Sequence, residues 1–191
     1  MVQKEISKTP FSIYWWFFQV IVVLGLASVV VWLSLIPKNP VFTVADIYIP
    51  ALNTSNSTVQ QHELIRNTSL IFTLQISNPN KGMGIFYDDI LITLFHVDDS
   101  IGTKTIPGFY QGHKKNLLLD VLINGDRVFW RGIADRVFGL RLFVETKVKY
   151  KVFRWKTKHH WMVLEASVMI DPQGRIYGEK NIRLHHTLKM T

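Results

Sequence analysis

The stretch Ser69–Gly82, SLIFTLQISNPNKG, decides what kind of fold this chain builds. Leu70, Phe72, Leu74 and Ile76 fall on one side of an extended chain, and Ser69, Thr73, Gln75 and Ser77 on the other. Successive side chains of a strand point to opposite faces, so this alternation predicts a strand with one face in a core. Asn78-Pro79-Asn80-Lys81-Gly82 then forces a turn, because proline fixes φ while asparagine and glycine accept positive φ.

Downstream, the same grammar repeats. Strands are predicted at 85–87 and 90–97, followed by a turn at Asp98-Asp99-Ser100-Ile101-Gly102. Residues 106–110 lead into a polar segment, 111–116, and Leu117, Leu119, Val121 and Ile123 alternate again with Asp120 outward. Between 126 and 138 the apolar spacing becomes helical, with Phe129, Ile133 and Val137 four apart. Asn124 suits the N-cap and Gly139 the C′ position of one short inserted helix. From Leu140 strands return. Val148, Tyr150 and Val152 oppose Lys147, Lys149 and Lys151, and then Phe153 and Trp155 take the apolar face. That change of parity predicts a β-bulge near Val152 or Phe153. Met162, Leu164, Ala166, Val168 and Ile170 form another inward face, ended by Asp171-Pro172-Gln173-Gly174. Ile182, Leu184 and Leu188 predict a last, edge strand. About seven short strands with regular turns build an antiparallel β-sandwich.

Upstream, residues 41–49 read as a first strand, and residues 51–67 as a polar loop. That loop holds three N-x-[ST] sequons, at Asn53, Asn56 and Asn67, the expected glycosylation sites of an exposed segment. Pro37 and Pro40 favour an extended exit from what precedes them. Residues 11–36, FSIYWWFFQVIVVLGLASVVVWLSLI, contain no charge. As a helix they reach about 39 Å, against about 30 Å of hydrocarbon. Tyr14, Trp15 and Trp16 near one end and Trp32 near the other suit the headgroup level. The run is longer than a cleaved signal's apolar core and no small-residue cleavage site follows, so a retained single-pass anchor is expected. Lys4 and Lys8 before it, against Lys38 alone after it, place the N-terminus in the cytosol and the rest outside or in a lumen. The expected organisation is a cytosolic tail at 1–10, a transmembrane helix at 11–36 and one domain at 37–191. The polar, basic C-terminal segment does not resemble a lipid-anchor signal.

Composition restricts the chemistry. The formal charge is +8 and there is no cysteine, which removes disulfides, thiol nucleophiles and cysteine metal sites. Gly82-x-Gly84 lacks the third glycine of a dinucleotide loop. Adjacent pairs such as Asp88-Asp89, Asp98-Asp99, His159-His160 and His185-His186 point to opposite faces of a strand and cannot share a substrate or metal. No G-x-S-x-G elbow occurs. No catalytic residue, cofactor or metal is therefore expected. In the basic run 147–158, alternation sends most of the aromatic rings Tyr150, Phe153 and Trp155 inward and leaves lysines on solvent, where they would also guard an edge strand. An anionic lipid or cell-wall surface fits such a face, and an extracytoplasmic position argues against nucleic acid.

Four segments together resemble a known family: PKNPVFTV at 37–44, NPNKGMGIFYDD at 78–89, PGFYQGHKKN at 107–116 and VKYKVFRWKTKHH at 148–160. They resemble signatures of the plant NDR/HIN-like proteins, which carry a late-embryogenesis-abundant type 2 domain. The resemblance implies an immunoglobulin- or fibronectin III-like sandwich held at the plasma membrane by one N-terminal helix. It also implies a non-enzymatic role in defence and stress responses. Two departures stand out. The family commonly has a cysteine where this chain reads Glu165-Ala166-Ser167-Val168, and Gly108 interrupts a usually contiguous Pro-Phe-Tyr-Gln. Asn78, Pro79 and Asn80 read as turn builders, with Tyr87 and Phe109 as packing residues. Tyr110, Gln111, His113, Lys114 and Lys115 are the loop residues best suited to a partner, whether anionic lipid, wall material or a receptor protein. A lipid-handling module that takes an acyl chain into its sandwich is the alternative. Nothing in the sequence sets an oligomeric state.

Overall fold

A computed structural model describes residues 9–34, 36–52, 69–125, 136–152 and 154–187. Its contacts divide the chain into two units, Met1–Pro37 and Lys38–Thr191.

The first unit is helix α1 (Thr9–Ser34), two residues earlier at each end than the apolar run suggests. Within it Ile13–Leu33, 21 residues, is long and apolar enough to cross a membrane, and none of it is buried by the rest of the protein. Ser28 Oγ donates to Leu24 O at 2.8 Å, so this hydroxyl is satisfied inside the helix. A helix whose backbone bonds are internal and whose surface is apolar all round is a structure that lipid accepts.

The second unit is built from two antiparallel sheets. The first contains β1 (Val41–Tyr48), β2 (Ser69–Ser77), β7 (Asn116–Asn124) and the short β11 (Ile182–Arg183), in the order β11-β1-β2-β7. The second is organised on β8 (Phe138–Val152), the longest strand. One side of β8 pairs with β10 (His160–Ile170) from Val148 to Phe138. The other side is shared: β3 (Gly84–Tyr87) lies opposite 148–151 and β4 (Ile90–His96) opposite 141–145. Asp88 and Asp89 separate these two strands. β5 (Asp99–Ile106) and β6 (Phe109–Gln111) continue the sheet outward, and β9 (Trp155–Lys156) and β12 (His185–His186) complete it.

The alternation read from sequence is what fills the space between the sheets. Phe42, Val44, Phe72, Leu74 and Ile76 come from the first sheet and Ile85, Ile92, Leu142, Val144 and Leu164 from the second, all within one buried apolar cluster. Strand β2 has the expected bounds, and Leu70, Phe72, Leu74 and Ile76 face this core. At roughly 25 cal/mol per Å² of apolar surface buried, such a cluster is the main source of stability. Among the described residues, side chains of both sheets pack together in this cluster.

Several expectations are corrected. The change of parity at Val152 coincides with a hairpin, in which Val152 pairs with Trp155; Phe153, the other residue at which a bulge was expected, lies outside the described residues. The register slips just after it: Lys156 faces Lys151 and His160 faces Val148, four residues against three. Trp155 is consequently 82% exposed and not in the core. The lysines of β8 do not guard an edge, because β8 is paired on both sides. The turn expected at 98–102 is displaced to Val97-Asp98, since His96 pairs with Asp99 and residues 99–106 form β5. The tail is not one edge strand: β11 joins β1 in the first sheet, β12 joins β10 in the second, and buried Leu184 sits at the crossing. The inserted helix at 126–138 falls mostly on residues 126–135, outside the described residues, while Phe138 and Gly139 already belong to β8. The sequons Asn53, Asn56 and Asn67 also lie outside the described residues.

Candidate functional site

The turn after β2 is a buried polar clamp. Asn78 and Asn80 are 1% and 2% exposed. Asn78 Nδ2 donates to Met83 O at 2.9 Å and Gly112 O at 3.1 Å, and its Oδ1 accepts from Asn80 N at 3.0 Å and Asn80 Nδ2 at 2.9 Å. Asn80 Oδ1 accepts from Lys38 N at 2.7 Å, and its Nδ2 donates to Lys38 O at 2.8 Å. Lys114 N donates to Asn80 O at 3.1 Å, and Asn78 N to Lys115 O at 3.0 Å. Only a side chain carrying both donor and acceptor closes such a set of bonds, which is why amides stand at both positions. Tyr150 Oη donates to Asn39 Oδ1 at 2.9 Å, so two successive residues at the start of the domain are fastened to it.

A second buried link supports the same loop. Gln111, expected to face a partner, turns inward and is 4% exposed. Its Oε1 accepts from Tyr87 Oη at 2.8 Å, and its Nε2 donates to Ile76 O and Lys115 O, both at 2.9 Å. Burial, and secondarily the neighbouring Tyr150, push the Tyr87 phenol well above its ordinary range; burial also raises Tyr150. The remaining expected contact residues do reach solvent. Tyr110 is 49% exposed, and His113, Lys114 and Lys115 form an exposed loop whose backbone is held by the bonds above.

Beside that loop, the outer face of the second sheet carries an open groove of about 990 Å³. Leu91, Phe109, Tyr110 and Trp161 supply apolar walls, while Asp88, Asp89, Glu145 and Lys147 supply charge. The interruption between β3 and β4 shapes it. Asp88 N donates to Lys147 O at 2.8 Å, and Asp89 Oδ1 accepts from Gly108 N at 2.9 Å. Tyr110 lies against Phe86, with ring centroids 4.6 Å apart, and covers Gly84, where an added Cβ would come within 2.2 Å of the phenol oxygen. Three lysines rest over rings of this face: Lys147 on Trp161 at 4.9 Å, Lys151 on Tyr110 at 5.6 Å and Lys156 on Phe86 at 4.4 Å. Phe86 and Trp161 are not singled out by the sequence reading, and Lys147 only as part of the basic run. The signal for Trp161 was its parity, a tryptophan on the outward side of a strand whose Met162 and Leu164 point inward. Among the described residues, no group of three or more His, Asp or Glu is placed to hold a metal ion. His159 Nε2 instead lies 3.4 Å from Asp88 Oδ2.

The late embryogenesis abundant protein family matches residues 73–165, a span that includes the clamp, the groove and the basic run. Protein NDR1 of Arabidopsis thaliana is 31% identical over 183 residues, which cover 84% of this chain and 76% of the relative. This chain belongs to the NDR1/HIN1-like family. NDR1/HIN1-like protein 1 of the same plant is 30% identical over 189 residues, covering 92% of this chain and 88% of its own length. NDR1/HIN1-like protein 26 is 32% identical over 137 residues, 65% of this chain and 62% of that protein. In this NDR1/HIN1-like chain the clamp residues Asn78 and Asn80 are buried and bonded within the domain, while Tyr110, Trp161 and the loop at 113–115 reach solvent.

Proposed function

We propose that this NDR1/HIN1-like chain is a single-pass, membrane-anchored and non-enzymatic binding protein of plant defence and stress responses. Its sandwich stands on the extracytoplasmic side of the plasma membrane and offers the aromatic groove to a protein partner. One observation carries the anchoring: an unburied 21-residue apolar span is followed within a few residues by a packed domain that begins at Lys38. Membership of a family that includes Protein NDR1 and late embryogenesis abundant proteins supports the setting. The groove supports the partner class, because half-exposed Tyr110 and Trp161 beside charges of both signs resemble the aromatic anchors and polar rim of protein interfaces. Of the carboxylates in the groove, Asp88 and Asp89 are engaged with His159 and with a backbone N–H and hold the strand interruption, while Glu145 stands on β8 opposite Leu91.

The orientation is tested by glycosidase treatment of the expressed chain beside an Asn53→Gln/Asn56→Gln/Asn67→Gln variant, with protease protection of sealed membranes. A mobility shift lost in the variant, with the domain protected inside microsomes, is the expected result. Digestion from the cytosolic side without any shift would invert the topology and overturn the extracytoplasmic assignment.

A further inference from the structure

Basic charge is concentrated at one end of the sandwich. Four segments meet at the end where the chain enters the domain: 38–40, 78–85, 110–119 and, residue 153 apart, 150–160. Asn80 ties the first to the second, Asn78 ties the second to the third, and the pairing of Gly84 with Lys151 adds the fourth. Together they hold eight lysines and arginines, at 38, 81, 114, 115, 151, 154, 156 and 158, and no aspartate or glutamate of their own; the Asp88 carboxylate lies at the margin, 3.4 Å from His159. All but Lys151, which is partly buried, are exposed. The opposite end is mixed: Asp98, Asp99 and Asp171, at the turn joining β4 to β5 and beyond the end of β10, lie there with Arg141, which pairs with Asp98, and Arg175. Trp155, at the hairpin between Arg154 and Lys156, presents an indole that is 82% exposed.

We infer that this basic end is a docking face for the phosphate-bearing headgroups of an anionic bilayer, the same bilayer that the helix crosses. The inference rests on the anchoring proposed above. Chain reach selects the occupant. Four peptide steps separate Ser34 from Lys38, at most about 14 Å of extended chain. The Lys38 end therefore stays close to the headgroup plane whatever way the domain leans. Basic side chains are drawn to headgroup phosphates, and an exposed indole prefers the interfacial zone. The buried clamp fixes the loops beforehand, so little ordering cost remains when they meet the surface. The groove on the outer face of the second sheet is left free for a partner. The membrane thus orients the sandwich as well as tethering it.

The full chain, reconstituted in phosphatidylcholine vesicles with or without phosphatidylserine, tests this. Native cysteine is absent, so Lys81→Cys and Gln173→Cys each take a single environment-sensitive fluorophore, at the basic end and at the opposite end. Carbonate-resistant flotation is measured first; release of the chain would overturn the anchoring reading and this inference with it. With the chain retained, brominated lipid is expected to quench the probe at 81 only in phosphatidylserine vesicles. High salt should abolish that quenching, and the probe at 173 should stay unquenched. A Lys115→Glu/Arg154→Glu/Lys158→Glu variant should lose it too, and the salt titration gives the answer independently of how that variant folds. Equal quenching at 81 in both vesicle types would overturn the inference. So would a probe that responds to soluble polygalacturonate and not to anionic vesicles, which would assign the face to an acidic polysaccharide.

Discussion

Asn80 holds Lys38 by both halves of its peptide-like side chain, accepting from Lys38 N at 2.7 Å and donating to Lys38 O at 2.8 Å. The side chain behaves as a one-residue strand partner for the first residue of the domain. It is buried and bonded in turn to Asn78, so the attachment point of the sandwich is fixed by the turn that ends β2.

Asn80→Ala should therefore loosen the start of the domain more than its core. Lys38 is exposed and its peptide groups can turn to water, which keeps the cost to roughly 1–3 kcal/mol. Limited trypsin digestion of the full chain in detergent checks this. Cleavage after Lys38 should accelerate strongly in the variant, while the global melting temperature falls by only a few degrees. Unchanged cleavage would show that the two bonds do not restrain the segment.

Tyr87 donates to buried Gln111 at 2.8 Å, and burial raises its pKa above the ordinary value near 10. The unfolded chain then releases this proton near pH 10 while the folded chain keeps it. Stability is full below that pH and falls as pH rises beyond it, by up to about 1.4 kcal/mol per unit for this group. Tyr87→Phe should cost about 1–3 kcal/mol at neutral pH, because Gln111 Oε1 loses its donor inside the core. It should also flatten the alkaline decline. Urea titrations of both chains at neutral pH and above pH 10 read the two effects separately, and parallel declines would contradict the assignment to Tyr87.

Wherever one side chain in two faces the core, the sequence was a sufficient guide. Leu70, Phe72, Leu74 and Ile76 carry their period through β2 without interruption, and Leu164, Ala166, Val168 and Ile170 do the same in β10. Reading failed where parity changed, because a hairpin and a bulge both reset it: Val152 to Trp155 is the case in point. It also failed where a polar residue was satisfied inside the fold. Gln111, beside the exposed sequence His113-Lys114-Lys115, looks like a contact residue, and only its three hydrogen bonds reveal it as a strut. Asn78 and Asn80 were legible as turn residues, but their hold on residues 38 and 112 depends on distant backbone that no local pattern encodes. The groove was half legible. Tyr110 was found, and Trp161, brought to it from far along the chain, was not.

Two turns make opposite demands on glycine. Gly174 has φ +78°, and a Cβ there would lie 2.5 Å from Ile49 O, so Gly174→Ala should destabilise by about 1–3 kcal/mol. Val97 occupies φ 56°, a region that a β-branched residue enters only under strain. Val97→Gly should raise the melting temperature, with a gain of about 1 kcal/mol before the entropy of glycine is deducted. Thermal melts of the two variants moving in the same direction would refute the contrast.

Trp161 and Tyr110 are the exposed aromatic walls of the groove, and neither belongs to the core cluster. Their joint truncation, Tyr110→Ala/Trp161→Ala, should leave the melting temperature within a few degrees of the parent. Lys147 and Lys151 lose the rings on which they rest, so their ammonium groups gain freedom as well. If the groove takes a protein partner, buried aromatic anchors of this kind each carry about 2 kcal/mol or more of binding, enough to empty the site at cellular concentration. Plants lacking the gene and complemented with this double variant should therefore remain as susceptible to infection as uncomplemented plants, at equal protein abundance in the membrane fraction. Full restoration of resistance by the variant would remove the groove from the function, and the loop at 113–115 would then be the place to look for the partner.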